Sequence, residues 1–233
     1  MSIAENVATV LANIEHAARE AGRDPQQITL CAATKMNSAD AVRQAIAAGV
    51  TCCGENRVQE LTAKLADNAY AGADIHFIGR LQTNKVKQVV GKVSLIQSVD
   101  RLKLLEAIQA EAAKQGIRQD ILLEINIGRE ESKAGFLPEE LPELLPKLAD
   151  FGNIFVRGLM AIPPICQNPT DNDKFFQEIC NLGVDITAKK YDNVSVDIMS
   201  MGMSGDYESA IRHGSTMIRV GTAIFGARDY SKK

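Results

Sequence analysis

The chain has no tryptophan and few aromatic residues of any kind, 5% of its 233 positions. Without aromatic platforms, stacking recognition of single-stranded bases is not suggested. An excess of one charge is also missing. The 26 basic and 29 acidic residues leave a net charge of -3, so no field draws the chain to nucleic acid. No apolar run approaches membrane-spanning length. The opening Met1-Ser-Ile-Ala-Glu-Asn-Val7 is amphipathic and lacks the basic-then-apolar order of a secretory signal. The five cysteines (Cys31, Cys52, Cys53, Cys166 and Cys180) match neither a zinc site nor a Cys-x-x-Cys pair. Cys31, Cys52 and Cys53 fall in strand-like segments and read as buried, reduced thiols. His16, His76 and His213 are far apart in sequence, so no metal site is expected. A soluble, cytoplasmic protein without membrane or nucleic-acid partners fits these absences.

What is present is ordinary globular composition, 45% hydrophobic and 24% charged, and an almost uninterrupted alternation of strand and helix signals. An amphipathic helix near Ile3 to Ala21 carries Val7, Val10, Leu11 and Ile14 on one face and ends at Gly22 and Pro25. Strands are expected over Ile28–Thr34, Thr51–Gly54, Asp74–Ile78, Ser94–Ser98, Ile121–Ile127, Ile154–Met160, Asn193–Met199 and Thr216–Val220. Helices fall between them: from a Ser38 cap to Ala48, over about Arg57–Asn68, through Lys85 to Val90, over Arg101–Gln115, from near Pro138, and over Asp171–Leu182. One more follows Ser204, and a short one begins around Thr222. Strict alternation implies a parallel sheet. Eight units in a chain of this length point to a closed (β/α)8 barrel, a TIM barrel, with one extra N-terminal helix, over a single domain of residues 1–233. The alternative is an open doubly wound sheet. No Gly-x-Gly-x-x-Gly follows the first strand and no Walker-type Gly-x-x-x-x-Gly-Lys-Ser/Thr occurs, which counts against its nucleotide-binding forms.

A barrel gathers chemistry at the C-terminal ends of its strands, and phosphate often binds between the loops after strands 7 and 8. After strand 7 comes Ser200-Met-Gly-Met-Ser-Gly-Asp206, where Ser204 is placed to cap the next helix. After strand 8 comes Gly221-Thr222, offering close backbone approach, an N–H and a hydroxyl. Each loop alone reads equally as plain turn chemistry. Lys35 ends the first strand, beside strand 8 once the barrel closes. An ammonium there is costly unless used, and a lysine amine can attack a carbonyl. The alternative for Lys35 is a side chain that snorkels to solvent. A carbonyl cofactor with a phosphate handle joins these points, and pyridoxal 5'-phosphate is such a molecule. Arg219, the last-but-one residue of strand 8, is placed to reach its ring nitrogen, or to make a rim salt bridge.

The chain resembles the YggS/PROSC family of pyridoxal-phosphate-binding proteins. The motifs that carry the resemblance are Ala33-Thr-Lys35, Gly54-Glu-Asn-Arg-Val-Gln-Glu60, His76-Phe-Ile-Gly-Arg-Leu-Gln-Thr-Asn-Lys85, Glu131-Ser-Lys-Ala-Gly135, Arg157-Gly-Leu-Met160, Ser200-Met-Gly-Met-Ser204 and Gly214-Ser-Thr-Met-Ile-Arg-Val-Gly221. They run in order over nearly the whole chain. Thr34 and Arg57 depart from the family's usual Ser and aromatic residue. The family is similar in turn to the N-terminal barrel of alanine racemase. The resemblance implies a Schiff base on Lys35, Arg219 facing the ring nitrogen, and phosphate held by Ser204, Gly221 and Thr222. It makes Asn56 and Met160 ring neighbours and gives His76 a part in shaping the pocket. Met160 reads equally as core filling and His76 as a satisfied rim residue.

An Arg partner leaves the ring nitrogen unprotonated and the ring a weak electron sink. Racemisation also wants a second acid–base group on the opposite face. In alanine racemase that tyrosine comes from a further β domain, for which the chain shows no room after strand 8. Of Tyr70, Tyr191, Tyr207 and Tyr230, only Tyr207 follows a cofactor motif closely. The expectation is a monomeric holder of pyridoxal phosphate without catalytic residues, acting in cofactor and amino-acid homeostasis. PLP-dependent apoenzymes are its candidate recipients. An amino-acid racemase and a cofactor-responsive regulatory protein are the alternatives.

Overall fold

In the computed structural model, which describes residues 1–164 and 168–226, eight parallel strands close into a barrel in sequence order. The strands are β1 (Thr29–Ala33), β2 (Cys52–Glu55), β3 (Asp74–Phe77), β4 (Leu95–Val99), β5 (Gln119–Ile125), β6 (Ile154–Ala161), β7 (Val194–Ser200) and β8 (Met217–Val220). The helices are α1 (Ile3–Glu20), α2 (Ala39–Ala47), α3 (Val58–Ala66), α4 (Leu102–Gln115), α5 (Leu141–Lys147), α6 (Asp173–Lys189), α7 (Tyr207–Arg212) and α8 (Thr222–Phe225). β1 pairs with both β2 and β8, which closes the ring and sets the end of β1 beside that of β8.

Period-two alternation sorts the strand residues into two layers. Leu30, Ala32, Cys53, Ile96 and Ile218 face outward into the core shared with the helices. Cys31, Cys52, Leu95, Leu122, Met160 and Met217 face inward and fill the barrel with Ile78. Each fully buried aliphatic side chain contributes about 1.5–3 kcal/mol, so both layers hold the strand ends firmly.

The extra helix α1 starts on a capping box between Ser2 and Glu5 and buries Val7, Val10, Ile14, Ala17 and Ala18. Leu11, expected on that face, is exposed, and the face turns through Ala17 and Ala18 instead. Asn6 Nδ2 donates to the Ile224 carbonyl at 2.8 Å, and Asn13 Nδ2 donates to the Tyr207 hydroxyl at 3.0 Å. α1 therefore straps α7 and α8, the two short helices behind the loops at the barrel mouth.

Local structure departs from expectation in a few places. The helix expected through Lys85 is a 3-10 segment, Thr83–Gln88. The one near Pro138 opens as a 3-10 turn over Pro138–Glu140 before α5. Asp206, not Ser204, stands at the N-cap of α7. Cys166 and Tyr230 lie outside the described residues.

Candidate functional site

A cleft of about 320 Å³ opens at the C-terminal rim of the barrel. Seven of the eight residues singled out from the sequence line it: Lys35, Asn56, Met160, Ser204, Arg219, Gly221 and Thr222. Ala33, Ile78, Ile162, Met203 and Gly205 complete the lining. Lys35 sits two residues past the end of β1, in a turn, and is partly exposed. That turn is pinned from several sides. Met36 adopts φ 62° and its N–H donates to Glu60 Oε2 at 2.6 Å. Asn37 Nδ2 donates to the Lys35 carbonyl at 3.1 Å.

Behind Lys35 lies a buried polar group that the sequence did not reveal. Glu55 is 0% exposed. It forms an ion pair with Lys64 and accepts from Thr34 Oγ1 at 2.7 Å and from the Tyr70 hydroxyl at 3.2 Å. Lys64 Nζ also donates to the Thr34 carbonyl at 2.8 Å. The Asn56 N–H donates to Glu55 Oε2 at 3.2 Å. Burial, then the charge of Glu55, pushes the Tyr70 phenol up. One carboxylate thus ties the residue before Lys35 to the residue that enters the cleft from β2. Gly79 seals the same corner, because a Cβ there would meet the Asn56 carbonyl oxygen at 2.1 Å. Asn56 Oδ1 itself is buried without a hydrogen-bond partner, an acceptor left over at the cleft wall and costly unless a donor meets it.

Across the cleft, Arg219 is 5% exposed. It donates to Ser200 Oγ and, at 2.9 Å, to the Ala161 carbonyl. No rim salt bridge forms; among the described residues its hydrogen-bond partners are neutral. Burial lowers its pKa, though a guanidinium remains protonated. Farther around, burial and then Asp100 push the Glu124 carboxyl up to about 7, with Arg219 pulling the other way. Ser204 Oγ accepts from the Gly221 N–H at 3.3 Å and the Ala223 N–H at 3.4 Å, and lies 3.5 Å from Thr222 Oγ1. Two backbone N–H groups and two hydroxyls converge there, a donor set suited to an anion.

A family model described as "Alanine racemase, N-terminal domain" matches residues 6–229. The Pyridoxal phosphate homeostasis protein of Aquifex aeolicus (strain VF5) is 43% identical over 99% of this chain and 100% of its own. Its namesake in Pseudomonas aeruginosa is 40% identical over 98% and 97%. The chain belongs to the pyridoxal phosphate homeostasis protein family. The structure of another relative, PipY of Synechococcus elongatus PCC7942 with PLP bound, superposes with a TM-score of 0.83 at 32% identity, over 97% of this chain and 100% of that one. The family resemblance read from the motifs, and the barrel of the alanine racemase type that it implies, are both borne out.

His76 is the exception among the residues assigned from the family motifs. It is not among the residues that line the cleft. It points into the barrel below, with Nδ1 3.3 Å from Cys52 Sγ and 2.9 Å from Gln97 Nε2. Cys31 joins this group, and the ligating atoms of Cys31, Cys52 and His76 all lie within 4.8 Å of one another. Sequence distance hid that cluster; the signal was inward parity on three consecutive strands. Tyr207 is also turned away from the cleft, and its hydroxyl is held by Asn13 of α1.

Proposed function

We propose that this chain binds pyridoxal 5'-phosphate in the rim cleft and serves cofactor homeostasis, holding the group covalently through Lys35. The carrying observation is that Lys35, Arg219 and the Ser204, Gly221 and Thr222 donors line one cleft. Its volume is near the lower end of ligand sites, about 300–1,000 Å³. When bound, pyridoxal phosphate supplies an aldehyde for Schiff-base formation and a conjugated ring that withdraws electrons. Lys35 offers the amine, at the end of a turn fixed by Glu60 and Asn37. Ser204, Gly221, Ala223 and Thr222 offer donors for the phosphate. Arg219, permanently protonated, offers a donor to an unprotonated ring nitrogen. Asn56 Oδ1 offers an unmet acceptor.

The same lining supports a holder more than a catalyst. Among the described residues, no Tyr, His, Asp or Glu lines the cleft. Lys35 is then the one group there able to exchange a proton, and racemisation wants a second on the opposite face. The reading extends to a monomeric, cytoplasmic protein of one barrel domain that hands its cofactor to PLP-dependent apoenzymes.

The test is chemical. Purified protein is expected to absorb in the visible, and borohydride reduction with peptide mass mapping is expected to put the cofactor on Lys35. Trapping on another lysine, or none, overturns the assignment. Turnover of any amino acid in a polarimetric panel at about 1 per second or faster overturns the holder reading.

A further inference from the structure

One layer below the cleft, the barrel brings two thiols and an imidazole together. Cys31 on β1 and Cys52 on β2 are register partners, and His76 on β3 stands next to them. The three are 0%, 2% and 6% exposed. Ile78, Leu95, Leu122, Met160 and Met217 pack around the thiols. Gly54 makes the space, since a Cβ there would meet Cys31 Sγ at 2.8 Å and Ile78 Cδ1 at 2.7 Å. None of the three lines the cofactor cleft.

We propose that Cys31 Sγ, Cys52 Sγ and His76 Nδ1 form a site inside the barrel for one thiophilic d10 cation, Cu(I) or Zn(II). The spacing suits it. A sulfur and a nitrogen bound tetrahedrally to one such ion, at about 2.3 Å and 2.0 Å, stand about 3.5 Å apart. The Cys52–His76 edge is 3.3 Å. Thiolates select soft ions.

The proton inventory suits it as well. Arg219 donates to Ser200 Oγ, and Ser200 Oγ donates to Gln97 Oε1 at 2.7 Å. The nitrogen of the Gln97 amide therefore faces His76. An amide N–H only donates, so Nδ1 is the unprotonated ring nitrogen and its lone pair is available. Gln97 Nε2 also lies 3.1 Å from Met217 Sδ, an acceptor it keeps when Nδ1 turns to a metal. Metal binding displaces the protons of both thiols, which leave to solvent.

Charge selects between the two ions. Two thiolates with Cu(I) leave one net negative charge, which the buried guanidinium of Arg219 offsets. Two thiolates with Zn(II) leave none, and the guanidinium gains no counter-charge from the site. In a low-dielectric interior the first arrangement is favoured. Cu(I) is expected to bind more tightly.

The experiment titrates the reduced, full-length protein anaerobically with Cu(I) and, separately, with Zn(II), using Co(II) as the spectroscopic stand-in for zinc. One equivalent is expected to bind with a thiolate-to-metal charge-transfer band. A metal excess of about a hundredfold over Kd is expected to raise Tm by about 5–10 °C. Cys31→Ala and Cys52→Ala are expected to abolish the band, and His76→Gln to weaken binding at least about tenfold. Cys53→Ala, Cys166→Ala and Cys180→Ala are expected to keep it, and circular dichroism checks that every variant folds. Absence of the band with both Cu(I) and Co(II), or its persistence in Cys31→Ala and Cys52→Ala, overturns the site. Tighter binding of Zn(II) overturns the charge argument.

Discussion

The two walls of the rim cleft bury charge in opposite ways. On the wall built from β1 and β2, the Glu55 carboxylate meets the Lys64 ammonium, and Thr34, Tyr70 and the Asn56 N–H take up its remaining capacity. Charge there is neutralised by charge, and the strand ends that present Lys35 and Asn56 are locked to each other. On the wall built from β7 and β8, Arg219 is equally buried, yet it rests on a hydroxyl and a carbonyl. Dipoles solvate that cation without cancelling it. The first wall is an anchor. The second keeps a positive field on the cleft.

The largest effect should come from breaking the anchor. Glu55→Ala strands the Lys64 ammonium beneath α3, and losing one partner of a buried pair costs about 3–5 kcal/mol. Glu60, 3.6 Å from Lys64, keeps the expected loss in urea denaturation near the lower bound. Replacing both partners together, Glu55→Leu with Lys64→Met, should recover most of it. A loss below about 1 kcal/mol for Glu55→Ala would make the first wall no better neutralised than an exposed pair, and the contrast would fall.

The anchor is also where sequence reading stopped short. Glu55 ends β2, but a carboxylate reads as a loop residue, so the strand is expected to stop at Gly54. Its counter-charge comes from Lys64, a full helix turn and more beyond, and only tertiary packing supplies it. β5 shows the same fault at its other end. Gln119 looks like a loop residue, yet its side chain accepts from the Gly91 N–H and donates to the carbonyls of Val93 and Ser94, so the strand begins there. The barrel itself was legible because alternation is local and repeats eight times. That Lys35, Ser204, Gly221 and Thr222 meet in one cleft was legible because a barrel gathers its strand ends on one rim. Local rules make Ser204 a cap for α7, whereas closure of the barrel turns its hydroxyl to Gly221 and Ala223. His76 is expected at the rim and stands one layer below it, because sequence gives the strand but not the layer.

Two further changes sharpen the picture of the second wall. Glu124 faces Arg219 from farther around the barrel, and burial followed by Asp100 raises its carboxyl from 4.5 to about 7. A folded-state pKa above the unfolded one costs stability as pH rises through that interval, and the cost is complete above the folded value. Glu124→Gln should therefore change Tm little at pH 5 and raise it at pH 8, by up to about 3 kcal/mol of stability. If Glu124 were the true counter-ion of Arg219, the pH 8 gain would turn into a loss. Arg219→Gln removes the cation itself. Stability should change little, since no paired charge is orphaned, but retention of pyridoxal phosphate in dialysis should fall by about ten- to a hundredfold. Borohydride should still trap the cofactor on Lys35. Unchanged retention would leave the second wall without its function.

The smallest effect should come from Ser204, and it separates two readings of the same loop. Its oxygen now accepts the Gly221 and Ala223 N–H groups that would otherwise face the cleft. Ser204→Ala removes that internal acceptor and one hydroxyl donor at once. The N–H groups stay where α1 holds α8, through Asn6 and the Ile224 carbonyl, so the donor set loses one member and keeps its frame. A single neutral hydrogen bond is worth about 0.5–1.5 kcal/mol, a weakening of about two- to tenfold. That loss should appear in the affinity for pyridoxal phosphate and be absent for pyridoxal, which lacks the phosphate. An equal loss for both ligands would put Ser204 at the ring or the aldehyde, and the anion-binding role of the β7–α7 and β8–α8 loops would have to be given up.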